Sequence, residues 1–527
     1  MPPPNLRADM TAGFLVFLIA LPLCLGISMA SGFPPIAGIT TAIVGGLIST
    51  FVGSARLTIK GPAAGLIVIV LGAVTELGQG DALTGYRRTL AVGVAAAVIQ
   101  ILLSLARAGT IGSLMPPSVV HGMLAAIGVI IVSKQAHTLM GVSPTSKGPL
   151  PLLAEIPRSV AHANPEILVI GVCTLVVLFG LPLLPWRWAK KVPAQMVALV
   201  LAIPLGLCFD LDHQHTFSFQ GHEYSVGPQY LIHLPGNLLR SLAFPDFSHL
   251  LDAISLKYIL MFTLVGSIES VLSVSAVDAL DPAKCASDLD KDLRAVGIGN
   301  AIAALLGGLP MISEIVRSKA NIDSGATSRR ANFFHGLFLL GFVVLLPGML
   351  HRVPLAALAG MLVYTGTRLA SPAEFKRAYR IGPEQLFLFM LTLLVTLATD
   401  LLVGVAVGLV CKLALHVKDG VSLRDLVRME MRERRHGEAL HIEVENAAVF
   451  TNVLTLKRRL DRLESDIVRV VIDFSRARVV GHTVLEKLHR IADEWEGREL
   501  VLQGLEEHVP SSDHELAARK KRRPALA

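Results

Sequence analysis

Charge is what this 527-residue chain has least of: Asp, Glu, Lys and Arg together make up 17% of it, against roughly 25% in a soluble globular domain. That shortage excludes a soluble protein as the reading of the whole chain. Cysteine is scarce as well. The five present, Cys24, Cys173, Cys208, Cys285 and Cys411, show neither the pairing of a disulfide framework nor the spacing of a zinc motif. Neither a nucleophile elbow nor a phosphate-binding glycine loop occurs, and Gly-x-Gly fragments inside apolar runs are too common to count. No enzymatic activity and no cofactor are therefore expected. The first apolar run, 13–30, lacks the basic leader of a cleavable signal peptide and is expected to stay in the protein as a helix.

What the chain does contain is apolar surface: 52% of residues are hydrophobic and the mean hydropathy is +0.59. Runs approaching the ~20 residues of a spanning helix recur as far as Leu415, after which the pattern turns charged. Fourteen segments are predicted: 11–30, 35–52, 63–74, 88–106, 118–132, 166–184, 192–209, 256–276, 293–306, 313–322, 331–350, 354–368, 385–398 and 401–416. The third and tenth are too short to span. Each follows a Gly/Pro stretch, and Pro62 and Pro310 lack the donor a helix interior needs. They hold the same place in two sets of seven, which predicts an inverted repeat, 1–209 and 254–416, with a binding site where the halves meet.

A helix that starts inside a bilayer leaves unpaired N–H groups and a partial positive charge at its N-terminus. Two such starts facing each other make a site for an anion. Arg317, about one turn into the tenth segment, is a charge at membrane depth and so a functional candidate; a guanidinium beside a helix N-terminus suits an oxyanion. Ser313 and Ser318 are candidate hydroxyl donors, although serines in such helices often bond their own backbone. Glu314 is read as a helix-dipole partner, with a proton carrier as the alternative. His121 and His335 are read as packed histidines, and Lys60 and Lys319 as snorkelling to water or headgroups. Asp278 and Asp400, near segment ends, are read as capping them or binding at interfaces.

Lys and Arg concentrate in the loops after segments 2, 4, 6, 8, 10 and 12, with Arg87 and Arg88 against the trend. The positive-inside rule then predicts an inner-membrane protein with both termini in the cytoplasm. Beyond the membrane part, 1–416, comes a linker, 417–437. Strand-like stretches 441–449, 467–474 and 499–503 alternate with helical ones, predicting a small α/β domain over 438–508. The tail 509–527, with Lys520-Lys521-Arg522-Arg523, is expected to be a flexible, solvated end near an anionic leaflet rather than a nucleic-acid patch.

Four blocks carry a resemblance: Ala20-Leu-Pro22 with Ser31-Gly-Phe-Pro-Pro35-Ile-Ala-Gly38; Lys60-Gly-Pro-Ala-Ala-Gly65; Gly266-Ser-Ile-Glu269-Ser-Val-Leu-Ser273 with Ala276-Val-Asp278; and Gly307-Gly-Leu-Pro310 through Arg317-Ser318 to Ser324-Gly325. The chain resembles the SulP family of anion permeases, and its C-terminal piece resembles a STAS domain. The resemblance implies an all-α membrane domain of seven plus seven segments in core and gate bundles, a cytoplasmic STAS module and a homodimer. It implies substrate contacts at Arg317, Ser318 and Ser313 and at the backbone of Ala63, Ala64 and Gly65; Ala63 stands where many relatives have Thr. Glu269 matches the position of an acidic residue that binds a coupling cation or pairs with the tenth-segment Arg, and Na⁺ would use Glu269 and Ser273, whereas H⁺ would use Glu269 alone. His482 stands where phosphorylatable STAS domains carry Ser, so phospho-switching is not expected.

The expected function is secondary active transport of a small inorganic oxyanion, bicarbonate or sulfate, by displacement of core against gate. Coupling to Na⁺ or H⁺ is expected ahead of anion exchange, and a functional link to carbonic anhydrase follows from the resemblance. Competing readings are an anion channel or voltage-responsive protein, a C4-dicarboxylate or nucleobase permease of the same plan, and a membrane-tethered regulator.

Overall fold

A computed structural model of the chain describes residues 5–107, 109, 115–146, 148–185, 192–232, 243–283, 285–464, 466–495 and 497–521. The chain divides into two compact units, Met1–Gly112 with Ile127–Leu369 and Ser113–Ala126 with Ala370–Ala527. The boundary falls at 369 rather than at 416, and the last apolar helix packs with the C-terminal sheet: Leu413 joins Val421, Leu426, Ala447, Val449 and Val479 in one apolar cluster.

The longer helices, in order, are α1 (Leu6–Ala30), α2 (Pro35–Leu47), α3 (Ile67–Gly78), α4 (Ala82–Leu105), α5 (Pro117–Leu139), α6 (Pro149–Ala161), α7 (Pro165–Gly180), α8 (Ala194–Cys208), α9 (Ala253–Leu280), α10 (Leu289–Leu305), α11 (Ile315–Asp323), α12 (Arg330–Leu345) and α13 (Leu355–Leu369). They continue with α14 (Pro372–Ile381), α15 (Pro383–Ala398), α16 (Leu401–Lys418), α17 (Val453–Leu460) and α18 (His482–Glu494). Among the described residues, seven helices are long and apolar enough to cross a membrane, and shorter apolar ones include Ala64–Gly78 and Arg330–Leu345. This is a multi-span membrane protein. The amphipathic helices α6 and α14 were not legible as segments, since neither forms a continuous apolar run.

Packing repeats when the halves are exchanged. α1 lies along α12 as α9 lies along α4, and α2 meets α12 as α10 meets α4. The pairs α7–α8 and α15–α16 match in the same way. That is the signature of an internal two-fold repeat. Small residues allow the close contacts: a Cβ on Gly46 would strike the Gly336 backbone, the approach that small residues permit in lipid, where helices gain little from burying apolar surface. Capping follows the sequence, with Asp81 accepting from Leu83 and Thr84, and Asp400 from Val403. Asp278 instead receives the amide and hydroxyl of Ser287.

The first unit holds strands β1 (Ile59–Pro62), β2 (His215–Phe219), β3 (His222–Val226) and β4 (Met311–Glu314). The second holds β5 (Glu430–His436), β6 (Ala439–Ala448), β7 (Arg469–Asp473), β8 (Ala477–Val480), β9 (Glu499–Gln503), β10 (His508–Pro510) and β11 (Arg519–Lys521), a mixed sheet in the order β10-β11-β8-β6-β7-β9, with β5 on β6. Strands β6, β7, β8 and β9 are mutually parallel, and α17 and α18 help to cover them, as in a STAS-like α/β domain. The sheet outruns the expected 438–508 at both ends. β5 lies in what reads as linker and is almost entirely charged, while β11, between β10 and β8, uses Lys520 and Lys521 from what reads as a flexible tail; both are held by backbone pairing and carry little hydrophobic pattern. Lys520 reaches Asp419 at 2.7 Å. Arg522 and Arg523 lie outside the described residues, as do Arg187, Lys190 and Lys191 of the orientation argument.

Candidate functional site

The site is built on a two-stranded ribbon inside the first unit. β1 (Ile59–Pro62) and β4 (Met311–Glu314) pair antiparallel, Ile59 opposite Glu314 and Pro62 opposite Met311. Ala63 N–H then donates to Pro310 O at 3.2 Å, so each proline that cannot donate still lies within a paired stretch. After β1 the chain enters a 3₁₀ turn, Ala64–Leu66, and α3; after β4 it enters α11, nine residues long. At 1.5 Å per residue neither approaches the ~30 Å of a bilayer core. Both helices begin at the ribbon, so their positive ends point toward it from opposite sides.

Arg317 lies in the first turn of α11 and is fully buried. Its Nη1 approaches Cys24 Sγ of α1 at 3.6 Å, while Nε and Nη2 have no partner. A Cβ at Gly61 would meet Nη1, so a side chain there would push the guanidinium aside. The edge left open, Nε with Nη2, is the fork that binds two oxygens of one oxyanion. A permanent Glu269–Arg317 ion pair, one reading of the sequence, is not present: the described ion pairs include none to Arg317.

Two carboxylates share the neighbourhood. Glu269, midway along α9, lies against Gly65, where a Cβ would overlap the carboxylate, and its Oε2 has no partner. Glu314, at the N-cap of α11, makes no capping bond to its own helix. Its carboxylate faces the backbone N–H of Ala64, at the start of the opposite half-helix, and Oε1 is unpartnered. Ser273, one turn beyond Glu269 on α9, is buried.

The remaining polar residues brace the ribbon. Lys60 does not snorkel: it is buried, with Nζ 2.8 Å from Asp292 of α10 and 3.1 Å from Thr58. A lysine in an extended segment at this depth has no route to water, so it takes the nearest carboxylate. Asp292 also accepts from Ser313 Oγ at 3.0 Å. Ser318 Oγ accepts from Ile59 N–H at 2.8 Å and donates to Glu314 O. Ser318 therefore ties β1 to α11, and Ser313 reaches Lys60 of β1 only through Asp292. Asn300, which sequence reasoning missed, holds both backbone groups of Met311, receiving its N–H at 2.6 Å and donating to its O at 3.2 Å; it also donates to Gln100 at 2.9 Å. A lone Asn in an apolar helix is the only signal the sequence offered. His335 is buried with neither ring nitrogen partnered, whereas His121 is half-exposed beside Glu374, 3.6 Å away. Lys319 pairs with Asp323 at the surface.

A repeat of helical segments whose crossed half-helices hold an unpaired buried cation defines a membrane transporter for anions. The chain belongs to the Sulfate permease family, whose profile matches residues 6–392, a family of transporters and not of enzymes. It is 27% identical over 439 residues to YvdB of Bacillus subtilis, which carries a sulfate transporter name, covering 82% of this chain and 76% of that one. To the bicarbonate transporter BicA of Synechocystis sp. it is 25% identical over 406 residues, 77% of this chain and 68% of BicA. The solved transmembrane domain of a cyanobacterial BicA matches with a TM-score of 0.63 at 25% identity, over 76% of this chain and 97% of that one.

Proposed function

We propose that this transporter imports a small singly charged oxyanion, bicarbonate, together with Na⁺ or H⁺, across the inner membrane. The observation that carries the reading is the free Nε–Nη2 edge of buried Arg317 beside the unpartnered Glu269 Oε2 and Glu314 Oε1. Each half-helix end contributes about +0.5 charge. Added to Arg317, that roughly offsets two ionised carboxylates, so an anion gains net attraction only when a cation or proton joins it. A monoanion with one cation leaves the site neutral; sulfate would need two.

In this reading Arg317 grips two substrate oxygens. Glu314 faces the Ala64 N–H while substrate is absent, and leaves it to the substrate when that arrives. Glu269, with Ser273 and freed carbonyls, takes the cation. The backbone of Ala63 and Gly65 shapes the wall, while Ser313 and Ser318 hold the half-helices in register. Core moves against gate as the protein, a homodimer with both termini and the STAS-like domain in the cytoplasm, exposes the site to each side in turn. Sulfate is the second reading, supported by the name YvdB carries.

The test is uptake of labelled bicarbonate and sulfate into proteoliposomes under imposed Na⁺ and pH gradients. Saturable bicarbonate accumulation driven uphill by one of them supports the proposal. Flux that only dissipates an anion gradient indicates a channel and overturns it, as does sulfate uptake without bicarbonate competition.

A further inference from the structure

Helix α14 precedes the apolar helix α15 in the second unit and is strongly amphipathic. Phe375 packs on Phe389 of α15, ring centroids 4.7 Å apart, and Ala378 is buried beneath it. The opposite face carries Ala373, Lys376, Arg377 and Arg380, spaced i, i+3, i+4 and i+7, which puts them on one stripe. These four, with His514, line a cleft. Its far wall is fixed in place: Ser512 Oγ donates to Ile381 O at 2.8 Å and reaches Arg380 O at 3.1 Å, closing the C-terminal end of α14. Leu516 N–H donates to His514 Nδ1 at 3.1 Å, which orients that ring. Asp513 and Glu515 on either side of His514 are exposed and do not line the cleft.

Three cations therefore converge on one concave site, and the described ion pairs give none of them a carboxylate. Glu374, the acid nearest in sequence, is turned to His121. Bringing like charges together without neutralisation is unfavourable, and it is relieved when a multiply oxygenated anion bridges them. Because α15 starts directly after the cleft, at Pro383, the site lies at the level where an apolar span meets water and headgroups.

The geometry points to the cleft of Lys376, Arg377, Arg380 and His514 as a binding site for a phosphate-bearing anion, separate from the transported ion's site in the first unit. A lipid headgroup and a soluble phosphorylated molecule share that chemistry. The experiment separates them on the full-length protein. Native mass spectrometry counts phosphatidylglycerol retained after delipidation and back-titration, and calorimetry in neutral detergent measures inorganic pyrophosphate binding. Each is done for the wild type, for the Lys376→Gln/Arg377→Gln/Arg380→Gln variant and for Ala373→Glu. The last adds one carboxylate to the stripe at an exposed position and guards against misfolding of the triple variant. At least tenfold weaker binding in both variants supports the site, with loss in the lipid arm assigning a headgroup and loss in the pyrophosphate arm a soluble ligand. Wild-type affinity for both probes in Ala373→Glu, or no wild-type binding of either probe, overturns it.

Discussion

Lys60 and Arg317 are buried cations on the same short ribbon, one on β1 and one just after β4, yet they are treated in opposite ways. Lys60 has a carboxylate at 2.8 Å and a hydroxyl at 3.1 Å. Arg317 has one long contact to a thiol and two nitrogens with nothing. Burying a charge without a partner is costly enough that proteins avoid it unless something else arrives. In the proposed mechanism, that difference separates the cation that builds the site from the one that binds substrate.

Removing the partner of Lys60 is the strongest way to break that contrast. Asp292→Ala strands a buried ammonium and frees Ser313, and is expected to cost about 3–5 kcal/mol, read as loss of folded protein in detergent. If Arg317→Ala destabilised equally, the two cations would be equivalent and the distinction would fail. Arg317→Ala is instead expected to leave the thermal midpoint near wild type. Anion affinity should fall roughly a hundredfold, the worth of a charge-assisted fork of about 3 kcal/mol, measured by concentration-dependent uptake.

Glu269→Gln keeps the shape against Gly65 but removes a charge. The expected outcome is uptake that no longer responds to the Na⁺ or pH gradient, with protein yield unchanged; a retained gradient response would move coupling to Glu314.

Lys487 of α18 sharpens the comparison from outside the membrane. Burial, with help from Arg490 and Lys457, pushes its pKa down to about 7. The unfolded chain then binds more protons than the folded one from about pH 7 up to the ordinary lysine value near 10.4, so stability rises with pH across that window. Going from pH 7 to pH 9 should stabilise the sheet domain by about 2 kcal/mol, and Lys487→Met should abolish the dependence, read from denaturant midpoints.

Much of the site was legible because its signals are local. Pro62 and Pro310 after Gly-rich stretches mark interrupted helices, and Arg317 stands out as a charge in apolar surroundings. Glu269 was found through the resemblance of its block. What could not be read joins residues far apart in the chain. Asp292 lies 232 positions from Lys60, and Glu314 faces the Ala64 N–H of the other half without capping its own helix. Ser313 and Ser318 look like ligands until their partners are seen. The strands β5 and β11 escaped because charged strands held by backbone pairing show no alternation of apolar residues.

The sequence alone determined that the chain spans a membrane repeatedly, that two of its helices stop halfway, and that an arginine follows one of the breaks; composition and breaker residues act through nearest neighbours, so they can be read in one dimension. Which polar side chains neutralise one another, and which are left open for an ion, only the tertiary structure decided, since that depends on atoms brought within about 3 Å from opposite halves of the repeat.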